Sequence, residues 1–426
     1  MQKFVITGGV PLSGEVTPAG NKNAALPILA ACLLATEPVV LHNMPRIRDV
    51  MNMRSLIESL GAQVVELSPN SWQIHTPTLL DTEPDEQLCK RIRASILLAG
   101  PLLARRGYLQ IPVPGGDVIG RRRLDTHLLI FEALGATYQF DGKFHFKSEK
   151  LHGANILLDE ASVTATENGI MAAVMAEGTT VFRNAASEPH IVELCNFLNG
   201  MGAKIHGVGS NLLTIEGVQH LGSTEHTIGP DYLEVISFVG AAVVTGGEIL
   251  IRNAGLDVLD MVALQFARLG VRWEARGSDL WVPANQSLRV QADFGNAVPK
   301  FEDAVWPGFP ADLLSIAIVV ATQCEGTVLF HEKMYESRLY FTDKLVAMGA
   351  RIILCDPHRA IVQGKSQLLG ERLESPDIRA GMAMLLATLA ARGTSHIGNI
   401  GQIDRGYEQV EQKLRALGAK IERLDA

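Results

Sequence analysis

An apolar pattern recurs six times along the chain, and every copy ends at a glycine. In the third copy, the residues 3, 7 and 10 positions before Met201 are Leu198, Leu194 and Ile191. This spacing predicts the buried face of an amphipathic α-helix, and glycine suits the left-handed backbone conformation that ends a helix. The six predicted helix ends are Leu60-Gly61-Ala62, Leu134-Gly135-Ala136, Met201-Gly202-Ala203, Leu269-Gly270-Val271, Met348-Gly349-Ala350 and Leu417-Gly418-Ala419.

Each copy has the same order, which is a glycine, a short strand, a polar turn, the helix, its glycine and more strand. The helix-ending glycines lie 67 to 79 residues apart, which predicts six α/β units of one type. Only eight residues follow Gly418, so we expect residues 3–9, KFVITGG, to supply the strand missing from the last unit. Residues 22–229 then form one three-unit domain, and residues 1–21 with 230–426 form another. An open stack of six units is disfavoured, because the ends of a solenoid need distinct polar caps.

Composition narrows the class of protein. The chain has 426 residues, of which 47% are hydrophobic and 20% charged, as in a soluble globular protein of several domains. The net charge of -8 argues against a general nucleic-acid binder. The apolar run AALPILAACLLA has 12 residues, which is short of a membrane span, and the five cysteines lack metal-binding spacing. We expect a cytoplasmic protein with no membrane insertion, metal or cofactor, and of undetermined oligomeric state.

The polar turns between strand and helix carry the candidate chemistry. Lys22 stands directly before a helix predicted to begin near Asn23. A cation at a helix N-terminus opposes the helix dipole, so Lys22 suggests that a bound anion shares the position. The alternative is a solvated surface lysine.

A second turn has the sequence PGGDVIGRRR, residues 114–123. The backbone N–H groups of Gly115 and Gly116 could face an anion, and Asp117 could either cap the turn or transfer a proton. The arginines at 121–123 could bind phosphate or carboxylate in bidentate fashion. They could equally be a solvated run of charge. We interpret His127, on the apolar stripe of the next helix, mainly as a packing residue.

Two further turns precede strongly apolar helices. Arg91 and Arg93 are two residues apart and would point in different directions, so one of them is expected to reach a site. Asp312 stands immediately before the apolar segment that begins at Leu313. It could cap that helix, or act as a general base if partial burial raises its affinity for a proton.

Charged residues also interrupt the repeat. Arg338 occupies a stripe position at which the other copies are mostly apolar. Asp377 and Arg379 lie in DIRAGMA, and Asp404 and Arg405 lie in GQIDRGYE. A charge on an apolar stripe is a candidate site residue, and a side chain that extends to the surface is the competing explanation.

Six motifs together resemble those of the UDP-N-acetylglucosamine enolpyruvyl transferases, which are related to the EPSP synthases. They are GNKNAALPILAA, RASILLAGPLLAR, PGGDVIGRR, FPADL, DIRAGMA and IDRGYEQVEQKLRALGAKIERL, and their order spans almost the whole chain. The resemblance implies an inside-out α/β barrel of two domains, each built from three repeated βαβαββ-type units. That number of units agrees with the six repeats.

The resemblance also implies a reaction, the transfer of enolpyruvyl from phosphoenolpyruvate to the 3′-hydroxyl of UDP-N-acetylglucosamine with release of phosphate. This is the first committed step of peptidoglycan synthesis. Matching motif positions imply that Lys22, Arg122 and Arg405 hold phosphoenolpyruvate, with Asp312 as base and Asp117 as proton donor. The other expected substrate-binding residues are Asn23, Arg93, Arg123, Leu124, Asp125, Thr126, Ser162, Val163, Met334, Arg338, Asp377 and Arg379.

Three residues depart from the usual pattern of that family. Asp117 stands where most members have cysteine, Glu160 where lysine is common, and Arg123 where proline is usual. Arg123 could restore the positive charge lost at position 160. Because fosfomycin alkylates the family's cysteine, we expect the antibiotic to inactivate this chain poorly.

The departures leave two alternatives beside the main hypothesis. One is a related enolpyruvyl transferase with another acceptor, and the other is a non-catalytic sensor of a UDP-sugar. The shikimate-pathway transferase is less favoured, because the motifs belong to the UDP-sugar branch.

Overall fold

The computed structural model of the chain describes residues 2–116 and 119–425. Asp117, the proton donor expected from the sequence, lies outside the described residues. The α-helices of the described part are α1 (Lys22–Ala31), α2 (Arg48–Ser59), α3 (Glu86–Cys89), α4 (Ala99–Arg106), α5 (Asp125–Ala133), α6 (Val163–Ala173), α7 (Pro189–Gly200), α8 (Tyr232–Thr245), α9 (Asp260–Ala267), α10 (Ala311–Thr322), α11 (Thr342–Ala347), α12 (Ile378–Ala390) and α13 (Val410–Ala416). Short 3₁₀ helices span Cys32–Leu34, Arg93–Leu98, Leu256–Val258, Phe294–Asn296 and Ile400–Arg405.

The strands are mostly three to six residues long. They are β1 (Gln2–Thr7), β2 (Ser13–Val16), β3 (Val39–His42), β4 (Gln63–Ser68), β5 (Ser71–His75), β6 (Tyr108–Pro112), β7 (Thr137–Phe140), β8 (Lys143–Lys147), β9 (Asn155–Leu157), β10 (Thr179–Arg183), β11 (Lys204–His206), β12 (Leu212–Glu216), β13 (Glu225–Thr227), β14 (Glu248–Ile251), β15 (Glu274–Arg276), β16 (Asp279–Val282), β17 (Lys300–Glu302), β18 (Gly326–His331), β19 (Arg351–Asp356), β20 (Arg359–Gly364), β21 (Arg372–Glu374), β22 (Thr394–Gly398) and β23 (Lys420–Asp425).

Contacts between Cα atoms divide the described chain into two compact units. The first unit comprises residues 20–116 and 122–229, and the second comprises residues 2–19, 119–121 and 230–425. Residues 119–121 belong with the second unit because Ser337 N donates to Ile119 O and Arg121 N donates to Glu336 Oε2, both at 3.2 Å. The predicted first domain, residues 22–229, differs from the first unit at residues 20–21 and 119–121.

The first unit has three sheets around a group of buried helices. The strand orders are β13-β3-β5-β4, β6-β8-β7 and β11-β12-β10-β9. Helix α1 is buried at every residue except Asn23, and α6 is buried from Ala165 to Ala173. Both helices are buried on every side, and most of their residues are small or apolar, so they lie inside the unit rather than on its surface.

The second unit repeats this plan with strand orders β21-β22-β1-β23, β15-β16-β14-β2 and β17-β18-β20-β19. Its central helices α8, α10 and α12 pack against one another. Gly240 in α8 allows this approach, since a Cβ atom there would lie 2.7 Å from Leu386 Cδ2 and 2.9 Å from Ile316 Cγ2. Helices therefore fill the centre and sheets surround them, the reverse of a common α/β barrel.

Two predictions from the repeat are confirmed. Strand β1 pairs antiparallel with both β23 and β22, so residues near the N-terminus complete the last unit. All six helix-ending glycines have positive φ, between 79° at Gly270 and 108° at Gly61. The βαβαββ order is complete over residues 300–364, as β17-α10-β18-α11-β19-β20. No helix of the described chain is long and apolar enough to cross a membrane.

Candidate active site

Lys22 is a buried, ion-paired residue at the start of α1. The helix begins at Lys22, one residue earlier than predicted, and the Asn21 side chain caps it by accepting from the backbone N–H groups of Asn23 and Ala24. Lys22 Nζ lies 2.7 Å from Asp49 Oδ2, and the two side chains are 10% and 5% exposed. The surface-lysine alternative is therefore wrong.

An anion does accompany Lys22, as inferred from the sequence. It is a side chain of the protein itself, the carboxylate of Asp49. Sequence analysis missed this residue, which lies in the first turn of α2, next to Arg48. Both charges are buried, so each depends on its partner to offset the cost of losing water. A second anion bound here would find a cation already held in position.

The adjacent glycines Gly115 and Gly116 of the 114–123 loop are required for close packing. A Cβ atom on Gly115 would lie 1.7 Å from Lys90 O, and one on Gly116 would lie 2.8 Å from Arg93 Cβ. Gly115 N donates to Cys89 O at 3.2 Å. The expectation that the Gly115 N–H group is available to an anion is therefore wrong.

Arg93 shapes the loop that contains Arg122. Its Nη2 atom donates to the carbonyl oxygens of Arg122 and Arg123 at 3.1 and 3.0 Å, whereas Arg91 is exposed. The guanidinium group of Arg122 makes no hydrogen bond or ion pair with the described residues. Arg122 is thus the half-buried arginine of the loop whose charge is available to a ligand.

Arg123 has a different environment from Arg122. Its guanidinium group contacts Asp125 at 3.2 Å, Asp159 at 2.8 Å and Glu160 at 3.8 Å. The arginine does lie beside position 160, as the compensation hypothesis requires. One positive charge faces three carboxylates, however, so the cluster remains acidic rather than regaining a positive charge.

The start of α5 and the start of α6 lie next to this acidic cluster. Asp125 and Thr126 open α5 after Leu124, and Thr126 Oγ1 donates to Asp159 Oδ1 at 2.7 Å. Ser162 precedes α6, which begins at Val163, and the Ser162 hydroxyl does not cap the helix.

His127 is a packing residue, as interpreted from the sequence. Its Nδ1 atom is 3.0 Å from Asn168 Nδ2, and its Nε2 atom is 3.1 Å from Thr164 Oγ1. Burial, with a contribution from Arg93, lowers the pKa of His127 to about 3. The imidazole is therefore neutral at physiological pH.

In the second unit, Asp312 lies between two arginines. Arg338 Nη2 donates to Asp312 Oδ1 at 2.8 Å, and Arg379 Nε donates to Oδ2 at 3.0 Å. Asp312 is the second residue of α10 and Pro310 occupies the cap position, so the N-cap alternative is wrong. The two guanidinium groups stabilise the ionised carboxylate, the form that can accept a proton. They oppose the burial effect predicted from the sequence.

Both arginines are buried and therefore strongly oriented. Burial works to lower the pKa of Arg379, but Asp312 and Tyr407 outweigh it, so that pKa is raised overall. Arg379 Nη1 donates to Tyr407 Oη at 3.3 Å, and Tyr407 Oη is 3.1 Å from Ser237 Oγ. Tyr407 lies ten residues before Leu417, on the apolar stripe of the sixth copy, a position that predicts packing and does not indicate this polar contact.

Other expected residues of the second unit have local roles. Asp377 caps α12 by accepting from the backbone N–H groups of Arg379 and Ala380, and Arg405 donates to Gln402 Oε1 at 3.0 Å. Asp404 instead binds Arg423 at 2.7 Å. Met334 is 41% exposed. Within the described residues, no group of three or more His, Cys, Asp or Glu side chains could hold a metal ion.

Sequence analysis also missed two buried carboxyl groups, Asp303 and Glu332, which are both 0% exposed. Asp303 directly follows β17 and Glu332 directly follows β18. A polar residue immediately after an alternating strand was the available signal. It is weak, because many turns begin in this way.

Comparison with known proteins assigns the class. The EPSP synthase (3-phosphoshikimate 1-carboxyvinyltransferase) family matches residues 6–414. The chain belongs to this family, and it is a carboxyvinyltransferase, an enzyme. The inside-out α/β fold is confirmed by the structure of the enolpyruvyl transferase NikO from Streptomyces tendae. That structure aligns over 100% of this chain and 99% of its own, with a TM-score of 0.89 and 24% identity.

Relatives that are more similar in sequence are named for a more specific activity. The UDP-N-acetylglucosamine 1-carboxyvinyltransferase of Bradyrhizobium diazoefficiens is 56% identical over 99% of this chain and 98% of the relative. The protein of the same name from Treponema denticola is 54% identical over 99% of both chains. The resemblance identified from the motifs is confirmed.

Proposed function

We propose that this chain transfers enolpyruvyl from phosphoenolpyruvate to the 3′-hydroxyl of UDP-N-acetylglucosamine, releasing phosphate, as the first committed step of peptidoglycan synthesis. The observation that carries the proposal is identity of 54–56%, over almost the full chain, to two proteins named for this carboxyvinyl transfer. A cytoplasmic location is part of the proposal.

Phosphoenolpyruvate would be bound by Lys22, Arg122 and Arg405, with Asn23 beside Lys22. The substrate has a carboxylate and a phosphate, which favour cationic donors. Lys22 is held in position by Asp49, and Arg122 has no side-chain partner within the described residues. A preoriented lysine and an uncommitted arginine suit an anion that arrives and leaves in each turnover.

Asp312 would act as the base. The hydroxyl oxygen of the sugar forms a bond to C2 of phosphoenolpyruvate while Asp312 accepts the hydroxyl proton, and the C3 methylene gains a proton from an acid. Its two arginine partners keep Asp312 ionised before the reaction. The active-site segment that contains Asp377 and Arg379 supplies one of these partners.

Asp117 would be the acid that protonates C3. The resulting tetrahedral intermediate then loses phosphate, and a proton leaves C3 to form the enolpyruvyl product. A carboxyl group can perform this transfer as a cysteine thiol does, but it is a weaker nucleophile towards an epoxide. Insensitivity to fosfomycin is therefore included in the proposal.

The UDP-sugar would contact Arg93, residues 122–126, Ser162, Val163, Met334 and Arg338. A second candidate, another acceptor in place of UDP-N-acetylglucosamine, is favoured by one observation. Three carboxylates surround Arg123 next to these positions, and an acidic cluster opposes the binding of a diphosphate.

Phosphate release with both substrates, and with each substrate omitted, tests the proposal. We expect release only when phosphoenolpyruvate and UDP-N-acetylglucosamine are both present. Release that requires phosphoenolpyruvate but is unaffected by the UDP-sugar would overturn the proposal. Asp312→Asn, purified in parallel, excludes a contaminating phosphatase.

A further inference from the structure

Two buried carboxyl groups meet where two parallel strands of the second unit end. Strands β17 and β18 run parallel, with Glu302 opposite His331. The next residues, Asp303 and Glu332, are both 0% exposed. Neither belongs to the substrate-binding residues proposed above.

Backbone donors orient one oxygen of each carboxyl group. Asp303 Oδ1 accepts from Lys333 N at 2.6 Å, and Glu332 Oε1 accepts from Met334 N and Tyr335 N at 3.1 and 3.0 Å. The other oxygens, Asp303 Oδ2 and Glu332 Oε2, are buried and have no donor among the described residues. The parallel register that pairs Glu302 with His331 places Asp303 beside Glu332 at the ends of the two strands.

Two ionised carboxylates cannot satisfy each other in this position, since neither has a hydrogen to donate. A single proton between Oδ2 and Oε2 satisfies both atoms and removes one of two buried like charges. Burial, followed by the hydrogen bond and charge of Asp303, raises the pKa of Glu332 to about 9. Arg338 opposes this shift without cancelling it.

The Glu332 carboxyl group accepts backbone hydrogen bonds at the start of a segment that reaches the proposed base. Glu332 begins residues 332–338, and Arg338 at the other end donates to Asp312. Arg338 is 7% exposed, and its guanidinium group lies 5.0 Å from the Tyr335 ring centre. The position of Arg338 therefore depends on the turn that Glu332 stabilises.

We infer that Asp303 and Glu332 share one proton, and that this protonated pair is a positioning device that holds residues 332–338 so that Arg338 orients Asp312. The inference deepens the proposed function and rests on it for its catalytic consequence. The shared proton itself does not depend on the identity of the substrates.

The other titratable and charged groups around the pair have different partners. Lys333 Nζ is 3.4 Å and His331 Nδ1 is 3.8 Å from the carboxylate of Glu302. His358 Nδ1 donates to the backbone oxygen of Glu332 at 2.7 Å. These groups do not supply a hydrogen to Oδ2 or Oε2, so a proton of the pair itself is required.

Amide substitutions test the shared proton without substrate. In Glu332→Gln or Asp303→Asn, the backbone donors hold the amide oxygen in place and the NH2 group replaces the shared proton. In the double variant two NH2 groups face each other and neither has an acceptor. We expect each single variant to have a higher melting temperature than the double variant. The loss of unfolding free energy in the double variant should exceed the sum of the losses in the two single variants.

The stability of the folded chain should depend on pH in a defined direction. The pKa of Glu332 is raised in the folded chain, so its stabilising contribution is complete below the ordinary value of 4.5 and declines as the pH rises towards about 9. Between pH 5 and pH 9, the unfolding equilibrium constant of the unaltered chain should rise relative to that of Glu332→Gln, by up to about tenfold per pH unit.

Glu302→Gln is the matched control, because Glu302 lies next to Asp303 but its pKa is lowered, first by the hydrogen bond from Lys300. The stability of this variant should still decline as the pH rises from 5 to 9. Parallel pH curves for the unaltered chain and Glu332→Gln, or a double variant as stable as the single variants, would overturn the shared proton.

The catalytic arm measures KM for the UDP-sugar and kcat across the same pH range. Because Arg338 orients the base, we expect kcat of the unaltered chain to fall more steeply with rising pH than kcat of Glu332→Gln, with little difference in KM. Equal pH profiles would limit the pair to a role in folding and overturn its positioning role. Absence of turnover in every variant, with the stability results intact, would instead reject the proposed function.

Discussion

The two units hold their cations in different ways. In the second unit, Arg338 and Arg379 are buried and bound to the Asp312 carboxylate. In the first unit, Lys22 is bound to Asp49, but the half-buried guanidinium group of Arg122 has no partner within the described residues. One unit holds a carboxylate between two buried arginines, and the other has an arginine whose charge no described residue neutralises.

Under the proposed function, this difference corresponds to a division between groups that would perform chemistry and groups that would bind anions. Charges that are already in position need little reorganisation energy when the reaction occurs, which favours catalysis. An uncommitted arginine is more weakly positioned, but a bound phosphate or carboxylate orients it through bidentate hydrogen bonds. Substitutions in the second unit should therefore mainly change kcat, and those around Arg122 and Arg123 should mainly change KM.

The largest expected effect is that of Asp312→Asn. An amide cannot accept the hydroxyl proton, so kcat should fall by about 10³–10⁴-fold. Steady-state kinetics with saturating substrates measure this loss. Asp279→Asn is the control, because Asp279 binds Arg252 at 2.6 Å in the same unit and has no proposed catalytic role. Unchanged turnover of Asp312→Asn would reject Asp312 as the base.

The second-largest effect is expected for Asp117→Asn. Because the amide cannot deliver a proton, kcat should fall by about 10²–10³-fold with little change in KM. Asp117→Cys should recover turnover and acquire covalent labelling by fosfomycin, which intact-mass measurement detects. Rapid stoichiometric labelling of the unaltered chain at Asp117 would contradict the predicted insensitivity.

Lys22→Met tests the paired cation of the first unit. Asp49 would remain buried without the lysine, so the free energy of unfolding should fall by about 3–5 kcal/mol. Adding Asp49→Asn should recover most of that stability, as measured by denaturant unfolding, without restoring turnover. If the double variant regains activity, Lys22 serves folding alone.

The smallest effects are expected at the acidic cluster around Arg123. Glu160→Lys should lower KM for UDP-N-acetylglucosamine and Arg123→Ala should raise it, each by up to about fivefold, because exposed ion pairs contribute about 0–1 kcal/mol. Glu177→Lys makes the same change of charge in the first unit, at a residue bound to Lys150. If KM shifts equally in Glu177→Lys, net charge rather than position 160 is responsible.

Helix ends and buried faces were predictable because both are local properties. Each predicted glycine has positive φ, and stripe residues such as Leu198, Val262 and Leu414 are 0% exposed. The pairing of β1 with β23 was also predictable, because the last repeat lacked a strand. Element boundaries were less accurate, as Lys22 and Asp312 show, since capping depends on which side chain reaches the free N–H groups.

Local sequence patterns are enough to predict six repeated units, their buried stripes, the joining of both chain ends and the motifs that identify the family. The pairing of charged groups instead depends on the folded structure. Asp49 with Lys22, Arg338 and Arg379 with Asp312, and Asp303 with Glu332 are partners 26 to 67 residues apart. Periodicity reports which side of its own helix or strand a residue occupies, whereas an ion pair depends on how separate elements pack.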